Sequence, residues 1–236
     1  MKKVIIDPGH GGSDKGAVAF GHYEKIRNLV IAKEIAKQLT AQGVETILTR
    51  DDDSFMLLKD RTNLENKIKP DCFISCHMDA AGESACGMTV WVHSKADNVI
   101  MNWANDMIAE LKKVGYTNNR YQSVNKGYVG NPSQDYAINR DTIKPSMLIE
   151  YGFITNQNNL NEHIDRYKDY AKATVKSICK FIGVTYKEIN ETVPREEYES
   201  VCALLQNCQI KLNEAQARAI NAENKITKAL AILTEK

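Results

Sequence analysis

Residues 4–17 read Val4-Ile5-Ile6-Asp7-Pro8-Gly9-His10-Gly11-Gly12-Ser13-Asp14-Lys15-Gly16-Ala17. A short apolar run enters a loop with four glycines, and one histidine stands among them. A strand that opens into a glycine-rich loop often cradles a phosphate. The dinucleotide fingerprint needs a third glycine where this chain has Asp14, an anion facing the would-be pyrophosphate. A Walker loop needs Gly-Lys followed by Ser or Thr, and here Gly16 follows Lys15. Nor does Ser13 sit in a G-x-S-x-G elbow, because Lys15 occupies the last glycine position. What remains is a histidine in a permissive loop at the C-terminal end of a strand, where α/β sheets place ligands. The alternative is a plain turn that happens to contain a histidine.

Outward from this stretch, strand and helix signals alternate. Val4 to Asp7 reads as a buried strand. Ile26, Leu29, Val30, Ile35 and Leu39 recur at helical spacing up to Gly43. Val44 to Thr49 is the next strand, and Leu57 to Lys69 a helix closed by Pro70. Cys72 to His77 and Gly87 to His93 read as strands. A helix carrying Val99, Trp103, Met107, Ile108 and Leu111 ends near Gly115. Residues 115–135 show no period and read as a long surface loop. Ser146 to Glu150 is a short buried strand, and Tyr167 to Phe181 a final helix. Apolar strands alternating with helices predict an α/β fold: a mostly parallel, twisted sheet covered by helices on both faces.

That pattern fills a first domain over residues 1–183, followed by a linker at 184–193. From Pro194 the texture changes. Tyr198, Leu205, Leu212, Ala219, Ile226 and Leu233 repeat every seven residues, with Val201, Cys208, Ala215, Ala222 and Ala229 three places on. Five heptads of this kind predict a coiled-coil-like helical segment over 194–236, and with it a homo-oligomer.

The chain has 236 residues, with 31 basic against 30 acidic side chains. Such balance offers no polybasic surface to a nucleic acid or a membrane. Lys2 and Lys3 imitate a signal-peptide start, but the apolar run behind them ends at Asp7 after three residues. The expectation is a cytoplasmic product without a signal peptide. In that compartment Cys72, Cys76, Cys86, Cys179, Cys202 and Cys208 are expected to be free thiols.

Three strand ends carry a chemically capable residue: His10, His77 and Glu150. Parallel strands share one C-terminal rim, and Glu24, at the start of the first helix, can face it too. Two histidines and a carboxylate form the ligand set of hydrolytic zinc sites, with one position left for water. A further carboxylate can then take that water's proton. Spacing alone does not pick these four from five histidines and thirty carboxylates.

The motifs do narrow the choice. The run V-I-I-D-P-G-H-G-G-x-D-x-G-A, then E-K-x-x-N-L, F-I-S-x-H and L-I-E-Y-G-F-I-T-N resemble, in order, the zinc-dependent N-acetylmuramoyl-L-alanine amidases. The resemblance covers about residues 1–182. It implies hydrolysis of the amide joining N-acetylmuramic acid to L-alanine, with peptidoglycan as the partner. It implies Zn2+ held by His10, Glu24 and His77, with Glu150 as the catalytic glutamate. A cytoplasmic wall hydrolase suggests a phage endolysin released at lysis. A bacterial autolysin, a sporulation amidase or another peptidoglycan metallopeptidase on the same scaffold are the alternatives, and an inactive wall-binding module is a further one.

Where the family usually has Ser-Ile-His-Ala-Asn, this chain has Ser75-Cys76-His77-Met78-Asp79, so its substrate cleft is expected to differ. Strand alternation turns Cys76 away from His77, into the core with Cys72 and Ile74. Asp7 and Asp14 could orient ligand histidines, while Arg50 and Arg61 read as structural ion-pair residues. Asn156 is expected to cap the segment after the Glu150 strand. His22 is either a residue of the rim or, as its neighbours favour, a solvated loop histidine. His93 ends a strand with nothing in the sequence to pair with it, and His163 lies in a polar, surface-like stretch.

Overall fold

The computed structural model describes residues 1–115, 121–127, 131, 135–188, 218 and 225. Eight strands and five helices follow in the order β1 (Lys3–Pro8), β2 (Val18–Ala19), β3 (His22–Tyr23), α1 (Glu24–Ala41), β4 (Glu45–Leu48), α2 (Leu58–Ile68) and β5 (Cys72–Asp79). Then come β6 (Gly87–Val92), α3 (Asn98–Val114), β7 (Tyr121–Lys126), α4 (Ala137–Arg140), β8 (Ser146–Phe153) and α5 (Gln157–Ile182). Six strands form one sheet in the order β4-β1-β5-β8-β6-β7, and β2 pairs with β3 separately. All neighbours in the large sheet are parallel except β6 and β8, which run antiparallel.

Each strand feeds both faces, which is why the central runs are almost wholly apolar. Val4, Ile6, Cys72, Ile74, Cys76, Val90, Ile149 and Tyr151 point into the main core with residues of α1, α3 and α5. Ile5 and Phe73 point the other way, toward Ile138, Leu64 and Ile68 on α4 and α2. Helices therefore lie on both faces, but the second face carries only two short ones. Caps end the helices where composition indicated. Asp97 accepts from the Ile100 amide at 2.9 Å to start α3, and Gly183, at φ 74°, stops α5. Asn156 caps α5 as expected, its side chain accepting from the Asn159 amide at 3.0 Å.

The sequence reading needs three corrections in this region. Residues 121–126, read as loop, form the edge strand β7 against β6. Their sequence, Tyr-Gln-Ser-Val-Asn-Lys, carries no apolar alternation, so pairing with β6 reveals the strand. The last helix begins ten residues earlier than its apolar period, at Gln157. Residues 184–188, read as linker, fold back: Val184 and Tyr186 pack on the main core, and the Gln42 amide bonds both backbone groups of Lys187. The heptad positions from Tyr198 to Leu233 lie outside the described residues. No described helix is long and apolar enough to cross a membrane. The described cysteines, Cys72, Cys76, Cys86 and Cys179, are buried thiols outside any disulfide.

Candidate active site

β1 ends at Pro8 and the chain turns at once. His10 sits at φ 60°, a left-handed backbone costing a non-glycine residue about 1–3 kcal/mol. The loop is held there by buried cations. Arg61 donates to the carbonyls of Pro8 (2.8 Å) and His10 (2.7 Å) and pairs with Asp7 at 2.5 Å. Arg50 donates to the carbonyls of Pro8, Gly9, Lys25 and Asp52, all within 3.0 Å. Lys25 bridges the Gly12 carbonyl (2.8 Å) and Asp53 (2.6 Å). Arg61 thus acts as the expected ion-pair residue. Arg50 does not: it braces backbone carbonyls. Asp7 serves Arg61, Thr49 and Ser75 rather than either rim histidine.

The histidine itself meets two carboxylates. His10 Nδ1 lies 2.8 Å from Asp14 Oδ2, the orienting contact expected of Asp14. Its Nε2 lies 3.1 Å from Glu24 Oε2, while His77 Nδ1 lies 2.9 Å from Glu24 Oε1. The two rings stand edge to face, centroids 4.9 Å apart. One donor atom from each of His10, Glu24 and His77 falls within 4.8 Å of the others, the one such group among the described residues that could hold a metal ion. Glycine makes this convergence possible. A Cβ on Gly9 would sit 2.2 Å from the His77 ring, and one on Gly16 2.5 Å from Glu24 Oε2, at φ 63°.

Burial would raise the Glu24 carboxyl, but hydrogen bonds and charge from His10 and His77 outweigh it and hold it far below the usual carboxylate range. Burial would likewise lower His10, yet Glu24 and Asp14 raise it. The group is thus a buried, ionised carboxylate between two imidazoles, a donor set suited to a zinc ion. The Asn28 amide, at 3.1 Å from Glu24 Oε1, and the Ala17 amide, at 2.9 Å from Oε2, fix the carboxylate plane. Neither contact is visible in sequence spacing, although Asn28 stands one helical turn beyond Glu24.

Glu150 completes the rim. β8 lies beside β5, and Glu150 is the direct partner of His77 across that pair. Its Oε2 is buried and has no hydrogen-bond partner among the described residues. Burial first, then the charges of Glu24 and Asp79, push its carboxyl well above the ordinary range. Cys76 points into the core, where burial drives its thiol up beyond the range of a working thiolate. Beside the cluster opens a cleft of about 510 Å³, lined by His10 and His77 together with Phe55, Leu57 and Leu58. Those three side chains are more than half exposed. Of the remaining histidines, His22 lies half-buried in β3 and His93 lies 3.7 Å from Asp135, both away from the cluster. His163 contradicts its reading as a surface histidine. It is fully buried in α5 beside Tyr151 and Tyr170, and burial together with the Arg27 charge pushes it down to about 3.

A mostly parallel sheet with a His–Glu–His group and a glutamate oxygen open on one rim is what a metallohydrolase needs. The chain belongs to the N-acetylmuramoyl-L-alanine amidase family, whose model matches residues 4–183, and by that membership it is an enzyme. It is 36% identical over 160 residues to the "Probable cell wall amidase LytH" of Staphylococcus aureus, covering 66% of this chain and 49% of that one. The chain thus spans about half the length of the curated relatives it matches. Among solved structures it resembles an N-acetylmuramoyl-L-alanine amidase from Clostridium difficile 630, at 30% identity and a TM-score of 0.69, over 77% of this chain and 97% of the other. The catalytic domain of the amidase CwlV from Bacillus (Paenibacillus) polymyxa is similar at 27% identity and a TM-score of 0.69, over 78% of this chain and all of that domain.

Proposed function

We propose that this protein is a zinc-dependent amidase that cleaves the bond between N-acetylmuramic acid and the L-alanine of the peptidoglycan stem. The observation that carries the reading is Glu150, with one oxygen unpartnered, directly across from His77 in the His10–Glu24–His77 group. His10, Glu24 and His77 would hold the ion. When bound, zinc supplies Lewis acidity and a water acidic enough to be deprotonated near neutral pH. Asp14 fixes the ring orientation of His10, and Asn28 fixes Glu24, so neither ligand must reorganise. Glu150 accepts the water proton as the lactyl carbonyl is attacked. It then returns that proton to the alanine nitrogen as the C–N bond breaks. Burial, with the charges of Glu24 and Asp79, raises the Glu150 carboxyl well above its ordinary value, which favours its holding the proton between the two halves of this exchange.

The test is digestion of purified walls followed by mass spectrometry. Release of intact stem peptides with a free L-alanine amine is expected. New reducing ends, or free D-alanine without stem release, would replace this reading with another wall hydrolase. Host lysis as a phage endolysin is the finer role proposed. Lysis from within should then appear only when the protein is co-expressed with a membrane-permeabilising protein, and full lysis without one would remove that role.

A further inference from the structure

The register of the sheet extends the rim by one strand. Glu150 on β8 is the direct partner of His77 on one side and of Thr89 on β6 on the other. His77, Glu150 and Thr89 therefore form one transverse row, at about 4.8 Å per strand. Met88, Val90 and Val92 point into the main core, as do Ile149 and Tyr151. Thr89 and Glu150 consequently point to the opposite face, the one that only the two short helices cover.

Thr89 is 7% exposed, and its Oγ1 is buried with no hydrogen-bond partner among the described residues. Ser75, on the same face two strands away, is by contrast bonded to Asp7 at 2.7 Å. A buried hydroxyl without a partner costs on the order of 1–3 kcal/mol, and valine would fill the same strand position without that cost. No described residue bonds this hydroxyl, and Glu150, its cross-strand neighbour, also has an oxygen without a partner among the described residues. Both gaps face the same place.

We propose that Thr89 is a substrate-binding residue whose hydroxyl donates to the carbonyl of the first stem-peptide residue. The inference rests on the amidase reading, and it follows from the direction of that reaction. The attacked carbonyl lies on the side of His10, Glu24 and His77. The departing nitrogen must reach Glu150 to collect its proton. The residue attached to that nitrogen then extends to the far side of Glu150, where Thr89 stands. Its carbonyl oxygen is an acceptor, and Thr89 offers a donor that no described residue uses.

The test uses the full chain, zinc-loaded, with muramyl dipeptide as the probe. An E150Q variant holds the probe uncleaved, and NMR titration compares it with E150Q carrying T89V or T89S. T89V should weaken binding on the order of 10-fold, and T89S should recover most of it. Zinc content should stay constant, and the T89V melting temperature should stay level or rise, because an unsatisfied hydroxyl has been removed. Equal binding in E150Q and E150Q/T89V overturns the proposal. A loss that T89S fails to recover, or one that accompanies lower zinc content, overturns it too. If the unmutated protein leaves the lactyl–alanine bond intact while the Thr89-dependent binding persists, the reaction assignment fails and the binding role stands.

Discussion

The two ends of the rim are built on opposite plans. Around His10 nearly every polar group is tied: Arg61, Arg50, Lys25, Asp53 and Asp14 brace the loop through bonds of 3.1 Å or less. Around Glu150 the polar groups are left open. Glu150 Oε2, Thr89 Oγ1, Trp91 Nε1 and Asn139 Oδ1 are all buried without a hydrogen-bond partner among the described residues. Metal ligands must already point correctly before the ion arrives, so the protein itself stabilises their positions. Groups that meet a substrate must instead have capacity to spare. On the proposed function, the tied end would serve the metal and the open end the reaction.

The largest effect should come from emptying the tied end. Chelation should stop hydrolysis completely, and added zinc should restore it. Far-UV circular dichroism should stay unchanged, because the loop is braced by protein bonds. Full activity in a verified metal-free sample would break the comparison outright. At the open end, Glu150→Gln should lower turnover about 10²–10⁴-fold while zinc content stays near one per chain. Loss of zinc instead would mean that Glu150 belongs to the tied end.

The brace itself can be cut. Arg61→Met leaves Asp7 buried without its cation, and breaking a buried pair in this way costs about 3–5 kcal/mol. The loss should show as a lower denaturant midpoint. An unchanged midpoint would remove the argument that this pair holds the loop. His163 sharpens the contrast from elsewhere, since it is a buried polar residue outside the rim. Its unfolded value is 6.5 and its folded value about 3. Below pH 6.5 the unfolded chain binds a proton that the folded chain refuses. Stability is therefore full above pH 6.5 and falls as pH drops toward 3. Between pH 6.5 and 4.5 the loss should be roughly 2 kcal/mol. Denaturant titrations of His163→Gln should lack that slope.

The smallest effect on catalysis should come from removing the heptad segment. A chain ending near residue 189, which keeps Val184 and Tyr186 on the core, should be an active monomer, and the full chain an oligomer by light scattering at tens of micromolar. A monomeric full chain would remove the coiled-coil reading.

Much of this could be read from residues in order. Apolar runs such as Val4–Ile6 and Cys72–Ile74 bury side chains on both faces, so their strands were legible without tertiary context. The glycines of the first loop were legible too, since Gly9 and Gly16 leave room for the His77 ring and Glu24. β7 was not, because its sequence carries no apolar period and the strand shows itself in its pairing with β6. His163 looked like a surface residue because its neighbours Glu162 and Asp165 are charged. Only the packing of α5 shows which side of the helix turns inward.

Local chemistry and motif order determined the α/β alternation, the permissive loop and the identity of His10, Glu24, His77 and Glu150 as candidates. The alternation and the loop depend on side-chain size, polarity and spacing, whereas the four candidates were picked by the resemblance of their motifs to the amidases. The tertiary structure decided what those residues do to one another. Strand order set Glu150 between His77 and Thr89, although Glu150 lies far from both in sequence. Folding left some buried groups bonded and others open, and that difference arises only when distant strands share one sheet.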